Sequence, residues 1–302
     1  MARHSSFRKA GAELGLSTSA VSYAIRGLEE RFGVNLINRT TRSVALTDAG
    51  QRLLERLQPI LRDLGDALEE MNNFRATPSG TLRINTSHAA ARLLVAPLMP
   101  RFLAAYPDLH LEILEDDSFV DIVGLGFDAG IRFEKAVPED MVAIPIGATQ
   151  RGAVVATPAY FDGHPVPRHP EDLLGHDCIR YRFPSGRLYK WEFEKDGVRI
   201  DLDVKGRITV GTTHLALQAA LDGVGVGFAL EKSVTEHIGE GRLVRVLDGW
   251  CPYFRGFMLY YPRQRRTSSA LRAFIDMARS LPVDAEAKAS TRTHIAGDWK
   301  MR

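Results

Sequence analysis

The chain has 302 residues, enough for two domains of ordinary size. Hydrophobic residues at 45% and charged residues at 25% exclude a wholly disordered chain and fit a globular protein with a sizeable core. The net charge of +2 points to no partner, but residues 1–56 hold nine Lys/Arg against five Asp/Glu, a basic head on a near-neutral body.

Residues 6–15 read as a short helix stopped by Gly15, with Leu16 and Ser17 forming a tight turn. Ser17 is a good N-cap for a second helix, from 18 to about 32. On it Val21, Ile25, Leu28 and Phe32 recur at helical spacing and make one apolar face, and Gly33 ends it. Two helices joined by so short a turn match a helix-turn-helix. The second would be the recognition helix, offering Thr18, Ser19, Ser22, Tyr23 and Arg26 to base edges or phosphates of double-stranded DNA.

Residues 36–39 and 43–46 then read as a β-hairpin with a polar, basic tip, which is the wing of such a domain. Arg39, Thr40 and Arg42 would reach phosphates or the minor groove. From Thr47 the pattern turns helical again for nearly thirty residues. Leu54, Leu57, Leu61, Leu64, Leu68 and Met71 are spaced alternately three and four apart. This seam either pairs with a second subunit or packs on its own domain. Pro59 is expected to kink the helix or break its hydrogen bonding.

Residues 72–80 form a linker. A strand at 81–86, a helix at 88–105 interrupted by Pro97 and Pro100, and a strand at 109–114 follow. Short strands alternate with helices to about 262, which predicts a parallel α/β sheet. Residues 269–281 form a last amphipathic helix, and the polar tail 284–302 is expected to be disordered. Gly223, Gly225 and Gly227 resemble a nucleotide loop only faintly. They stand between a helix and a following strand, the reverse of a dinucleotide fingerprint, and read as a helix exit with close strand packing.

Cys178 and Cys251 lie far apart and in no metal-binding spacing, so no disulfide, metal or cofactor is expected. No signal peptide and no apolar run of membrane-spanning length is legible, which predicts a cytoplasmic protein without membrane contact. An enzyme is disfavoured: there is no Gly-x-Ser-x-Gly elbow or phosphate loop, and acid pairs such as Asp116-Asp117 occur in most chains this size.

The order of these parts and several of their residues resemble the LysR-type transcriptional regulators. The match runs through Ala10-Gly11-Ala12-Glu13-Leu14-Gly15-Leu16-Ser17, Ser19-Ala20-Val21-Ser22 and Ile25-Arg26-Gly27-Leu28-Glu29-Glu30-Arg31-Phe32-Gly33-Val34. It continues at Leu36, Asn38-Arg39-Thr40-Thr41-Arg42 and Leu46-Thr47-Asp48-Ala49-Gly50. Behind the linker it takes in Tyr106-Pro107, Asp121-Ile122-Val123, Phe127 to Arg132, Ala219 to Gly227 and Tyr260-Tyr261-Pro262.

The resemblance implies a winged helix-turn-helix over 1–50, a linker and dimerisation helix over 51–80, and an effector-binding domain over 81–283. That domain would be two α/β lobes of the periplasmic-binding-protein type. It also implies a homodimer or homotetramer formed through the seam, RNA polymerase as a partner, and a small-molecule effector between the lobes. An organic anion suits the strand-to-helix junction at Thr86, Ser87 and His88, where free N–H groups gather; Ser87 could equally be only a cap. Thr212 and Thr213 would face it, with Arg132 as a further ligand or a structural ion-pair partner. Family members carry one more helix before the pair, ending near Ser6-Phe7, and its absence here is a departure. The alternative function is a solute-binding protein without productive DNA binding.

Overall fold

The computed structural model describes residues 6–39, 44–57, 60–61, 77–118, 120–263 and 267–281. The chain divides into two compact units, Met1–Met71 and Asn72–Arg302.

In the first unit α1 (Phe7–Leu14) is capped by Ser6 and ends at Gly15, whose φ of 64° is left-handed. α2 (Thr18–Phe32) begins at Ser17, whose hydroxyl accepts the Ala20 N–H at 3.1 Å. The turn between them is tight enough that a Cβ on Gly11 would lie 2.6 Å from the Leu16 carbonyl oxygen. β1 (Ile37–Arg39) and β2 (Val44–Leu46) form the antiparallel hairpin, with Ile37 opposite Leu46. α3 follows over residues 48–57, and Thr47 caps it by accepting the Gly50 N–H at 3.0 Å. The apolar face of α2 is only partly covered: Val21 is buried, whereas Leu28 is 41% and Phe32 53% exposed. Helical periodicity identifies a face but not what covers it. On the linker helix Leu54 is half-buried while Leu57 and Leu61 are exposed. Leu64, Leu68, Met71 and Pro59, the wing tip with Thr40 and Arg42, and the tail after 281 lie outside the described residues.

The second unit has two lobes. The first is a five-stranded sheet of β3 (Gly80–Thr86), β4 (Leu109–Glu115), β5 (Ala129–Phe133), β6 (Met141–Ile146) and β15 (Phe257–Pro262), in the order β4-β3-β5-β15-β6. α4 (His88–Ala90), a π turn (Ala91–Val95), α5 (Ala96–Ala105) and α9 (Ser269–Arg279) pack on it. The run 88–105 is not interrupted at its prolines. Its irregularity is the π turn ahead of Pro97, where the Ala96 N–H reaches back five residues to Ala91.

The second lobe centres on β7 (Gln150–Ala156), flanked by β12 (Gly227–Leu230), β13 (Val244–Val246) and β14 (Tyr253–Phe254). β8 (Ile179–Tyr181) pairs with β11 (Ile208–Val210), and β9 (Trp191–Lys195) with β10 (Val198–Leu202). α6 (Pro158–Asp162), α7 (Thr213–Leu221) and α8 (Glu231–Gly239) complete it.

The expectation of a parallel sheet needs correction, since both central sheets are mixed. β3 runs parallel to β4 and β5, but β15 is antiparallel to β5 and β6, and β7 is antiparallel to its neighbours β12, β13 and β14. The chain crosses into the second lobe after β6 and returns before β15, so β15 enters the first sheet from the opposite end. The two crossings touch: a Cβ on Gly256 would lie 2.2 Å from the Ala148 carbonyl oxygen. Phe133 stacks on Phe257 at 4.7 Å and meets Phe254 edge-on at 5.7 Å beside them.

The three glycines after α7 pack as their order predicts. Gly223 has a φ of 74°, and a Cβ on Gly225 would lie 2.1 Å from the Asp177 carbonyl oxygen. Cys178 and Cys251 are free and buried, and burial pushes their thiols up to about 12 and about 11.

Candidate nucleic-acid interface and effector cleft

On α2 the side opposite Val21 carries Ser19, Tyr23 and Arg26, all exposed, with Tyr23 at 81%, and Thr18, exposed in the first turn, lies nearer the Val21 side. Ser22 is half-buried among them. Ser19 shares a hydrogen bond with the capping Ser17 at 2.9 Å, so its hydroxyl is partly committed to the turn. Arg39 closes β1 opposite Val44.

In the second unit the ends of β3, β4 and β5 converge on one junction. Thr86 and Ser87 are buried there. The Thr86 hydroxyl donates to the Ser87 carbonyl at 3.3 Å, and Ser87 accepts the Ala90 N–H at 3.3 Å. Ser87 therefore does cap the helix. His88 is half-exposed, and its backbone N–H is already taken by Asp117 Oδ1 at 3.1 Å. Its imidazole Nδ1 lies 3.0 Å from Asp117 Oδ2.

Arg132 is buried and its guanidinium donates inward, to the carbonyls of Ile131 at 2.8 Å and Asp116 at 2.6 Å and to Asn85 Oδ1. Burial pulls its pKa down, opposed by Tyr260 and the carboxylates of Asp117 and Asp116. Arg132 thus pins the loop after β4 onto β5. It is a strut of the first lobe, with these donors spent on protein acceptors. Gly130 beside it leaves room for Tyr260, whose ring would lie 2.3 Å from a Cβ. Hydrogen bonds from the Ser118 side chain and backbone hold the Asp116 carboxyl below the usual range, with help from Arg132 and His88.

Thr212 and Thr213 sit in the second lobe. Thr212 caps α7 through the Leu215 N–H at 3.2 Å, and Thr213 is exposed. They follow Val210, which pairs with Tyr181. Tyr181 feels the first lobe through Asp117. Burial and, after it, the negative charge of Asp117 push its hydroxyl up to about 12. A bridge between the lobes joins Lys135 to Glu192 at 2.8 Å.

Thr86, Ser87, His88 and Arg132 therefore form one connected set, while Thr212 and Thr213 stand across the cleft beside Tyr181. The sequence reading missed Asn85, Asp117 and Tyr181. It met Asp117 only as half of a common acid pair, although its position just past a strand end was a usable signal. Among the described residues no group of three or more His, Cys, Asp or Glu could hold a metal, and no helix is long and apolar enough to cross a membrane.

Comparison with known proteins agrees with this layout. Residues 1–51 match the bacterial regulatory helix-turn-helix protein, lysR family, and residues 75–282 the LysR substrate binding domain. The uncharacterized HTH-type transcriptional regulator YcaN of Escherichia coli K12 is 45% identical over 93% of this chain and 92% of its own. CrgA of Neisseria meningitidis, a LysR-type transcriptional regulator of known structure, is 28% identical with a TM-score of 0.59, covering 91% of this chain and 93% of that one. The full-length Vibrio cholerae virulence activator AphB, at 24% identity, shares the fold with a TM-score of 0.63 over 91% of this chain and 94% of its own.

Proposed function

The chain belongs to the LysR family of bacterial transcription regulators, and from that premise we propose how its residues divide the work. It is a DNA-binding regulator whose activity a small-molecule effector modulates. In our reading α2 lies in the major groove, with Thr18, Ser19, Ser22, Tyr23 and Arg26 contacting base edges and phosphates. Arg39 with Thr40 and Arg42 tracks the backbone beside it. Residues 1–50 bind DNA, residues 51–80 pair subunits through Leu54, Leu57, Leu61, Leu64 and Leu68, and 81–283 bind the effector. The assembly is a homodimer or homotetramer, acting on RNA polymerase in the cytoplasm.

The observation that carries the DNA reading is the polar, exposed face of α2 opposite buried Val21. The test is a gel-shift with duplex DNA from upstream of the protein's own gene, repeated over a range of salt. Retardation that weakens steeply with salt is expected. A protein that retards no duplex even at low salt would favour the solute-binding alternative.

The effector sits between Thr86, Ser87 and His88 on one side and Thr212 and Thr213 on the other. Arg132 supports this site from below. An organic anion entering the junction competes with Asp117 for the His88 N–H. Its influence on DNA binding requires different affinities for the open and closed lobes.

A further inference from the structure

The connection from recognition helix to wing runs through one residue. The Glu29 backbone carbonyl accepts the N–H groups of Gly33 and of Val34, the latter at 3.2 Å. Its carboxylate oxygen Oε1 accepts the N–H groups of Leu36 at 2.9 Å and Ile37 at 3.0 Å. Gly33, with a φ of 65°, turns the chain so that these donors point back at α2. From the other side Thr47 donates its hydroxyl to the Asn35 carbonyl at 2.7 Å and its N–H to that of Leu36 at 3.0 Å. Leu36 and Ile37 are buried, so their N–H groups need partners within the protein. A charged acceptor makes the stronger kind of hydrogen bond.

We propose that Glu29 is a positioning residue for DNA binding: its carboxylate fixes the base of the wing, and with it Arg39, at a set angle to the recognition helix. The inference rests on the reading of Arg39 as a DNA contact. Glu29 touches no DNA itself. Without it the hairpin stays paired through β1 and β2 but loses its fixed bearing on α2. The wing then fails to meet the phosphates while α2 still enters the groove.

The test uses the full chain and a genomic duplex selected by the wild-type protein, with hydroxyl-radical footprinting and a salt titration. Arg39→Ala is expected to lower the salt slope by about 0.9. Glu29→Ala and Glu29→Asp should lose the same flanking protection and a similar slope while the footprint under α2 persists, and Tm should fall because two buried N–H groups lose their acceptor. Glu29→Gln, which keeps a carbonyl oxygen at the same reach, should retain both. A purely structural role would weaken the whole footprint evenly, α2 contacts and flanks alike. Should Glu29→Ala fail to fold, Glu29→Asp decides. Wild-type protection in a folded Glu29→Ala or Glu29→Asp overturns the inference. If Arg39→Ala keeps its protection too, the wing reading falls with it; if Arg39→Ala alone loses protection, the wing reading stands without Glu29.

Discussion

Asp117 engages His88 with both carboxylate oxygens, Oδ1 on the backbone N–H at 3.1 Å and Oδ2 against the imidazole at 3.0 Å. The protein thus supplies its own carboxylate at the point where an anionic effector would dock. Asp117→Ala should leave that N–H without its acceptor and lower the Tm of the effector domain. Small organic carboxylates should then raise Tm more in the variant than in the wild type. A thermal-shift panel measures this, and equal stabilisation of the two proteins would argue that the junction is not the anion site.

Tyr181 connects Asp117 to the opposite lobe. Tyr181→Phe keeps the ring, which meets Phe183 at 5.0 Å, and removes only the hydroxyl that feels the Asp117 charge. The distribution of distances between spin labels on the two lobes should broaden toward longer separations. Breaking the exposed Lys135–Glu192 pair in addition should add little, because screened surface pairs contribute weakly. An unchanged distribution in Tyr181→Phe would remove this hydroxyl from any account of closure.

Buried His176 is harder to protonate than a free imidazole. Burial, aided by nearby His164, pulls its pKa below the usual 6.5, while Asp172 opposes the shift. The Tyr160 hydroxyl lies 3.2 Å from its Nδ1 and also accepts the Asp177 N–H at 3.2 Å. The unfolded chain therefore binds a proton at a higher pH than the folded one. The stability contributed by neutral His176 is fully present above 6.5 and is lost as pH falls through the lower folded value. Tm measured from pH 8 to 5 should decline in wild type and decline less in His176→Gln. Parallel curves would assign the decline to other groups.

Gly50 lies under the Leu36 carbonyl, which a Cβ would approach to 2.0 Å. The clash is with backbone, so α3 or the start of the hairpin must move. Gly50→Ala should destabilise the first unit by about 1–3 kcal/mol. Chemical denaturation followed by circular dichroism gives the value, and a loss under 0.5 kcal/mol, the scale of surface substitutions, would show that the contact relaxes freely.

Local order was legible because it is written in short spacings. Gly15 and Gly33 mark helix ends, Ser17 and Thr47 mark caps, and the glycines at 223, 225 and 227 mark an exit and a tight strand approach. Strand direction was not legible, since an apolar run reads the same in either sense. Nor were contacts between distant residues. His88 and Asp117 meet from separate strand ends, and Tyr181 comes from the other lobe. Arg132 was left between two roles because a motif gives its place but not its partners. Its partners prove to be backbone carbonyls and the Asn85 amide oxygen, gathered from three separate stretches of the chain.

The contact between Gly256 and Ala148 bears on how the effector domain can move. Two peptide backbones cross there with no side chain between them. A rotation of one lobe against the other would have to turn about that contact, where neither backbone can give way to the other. A methyl group at position 256 would act as a wedge at the pivot, fixing the angle between the lobes before any effector arrives.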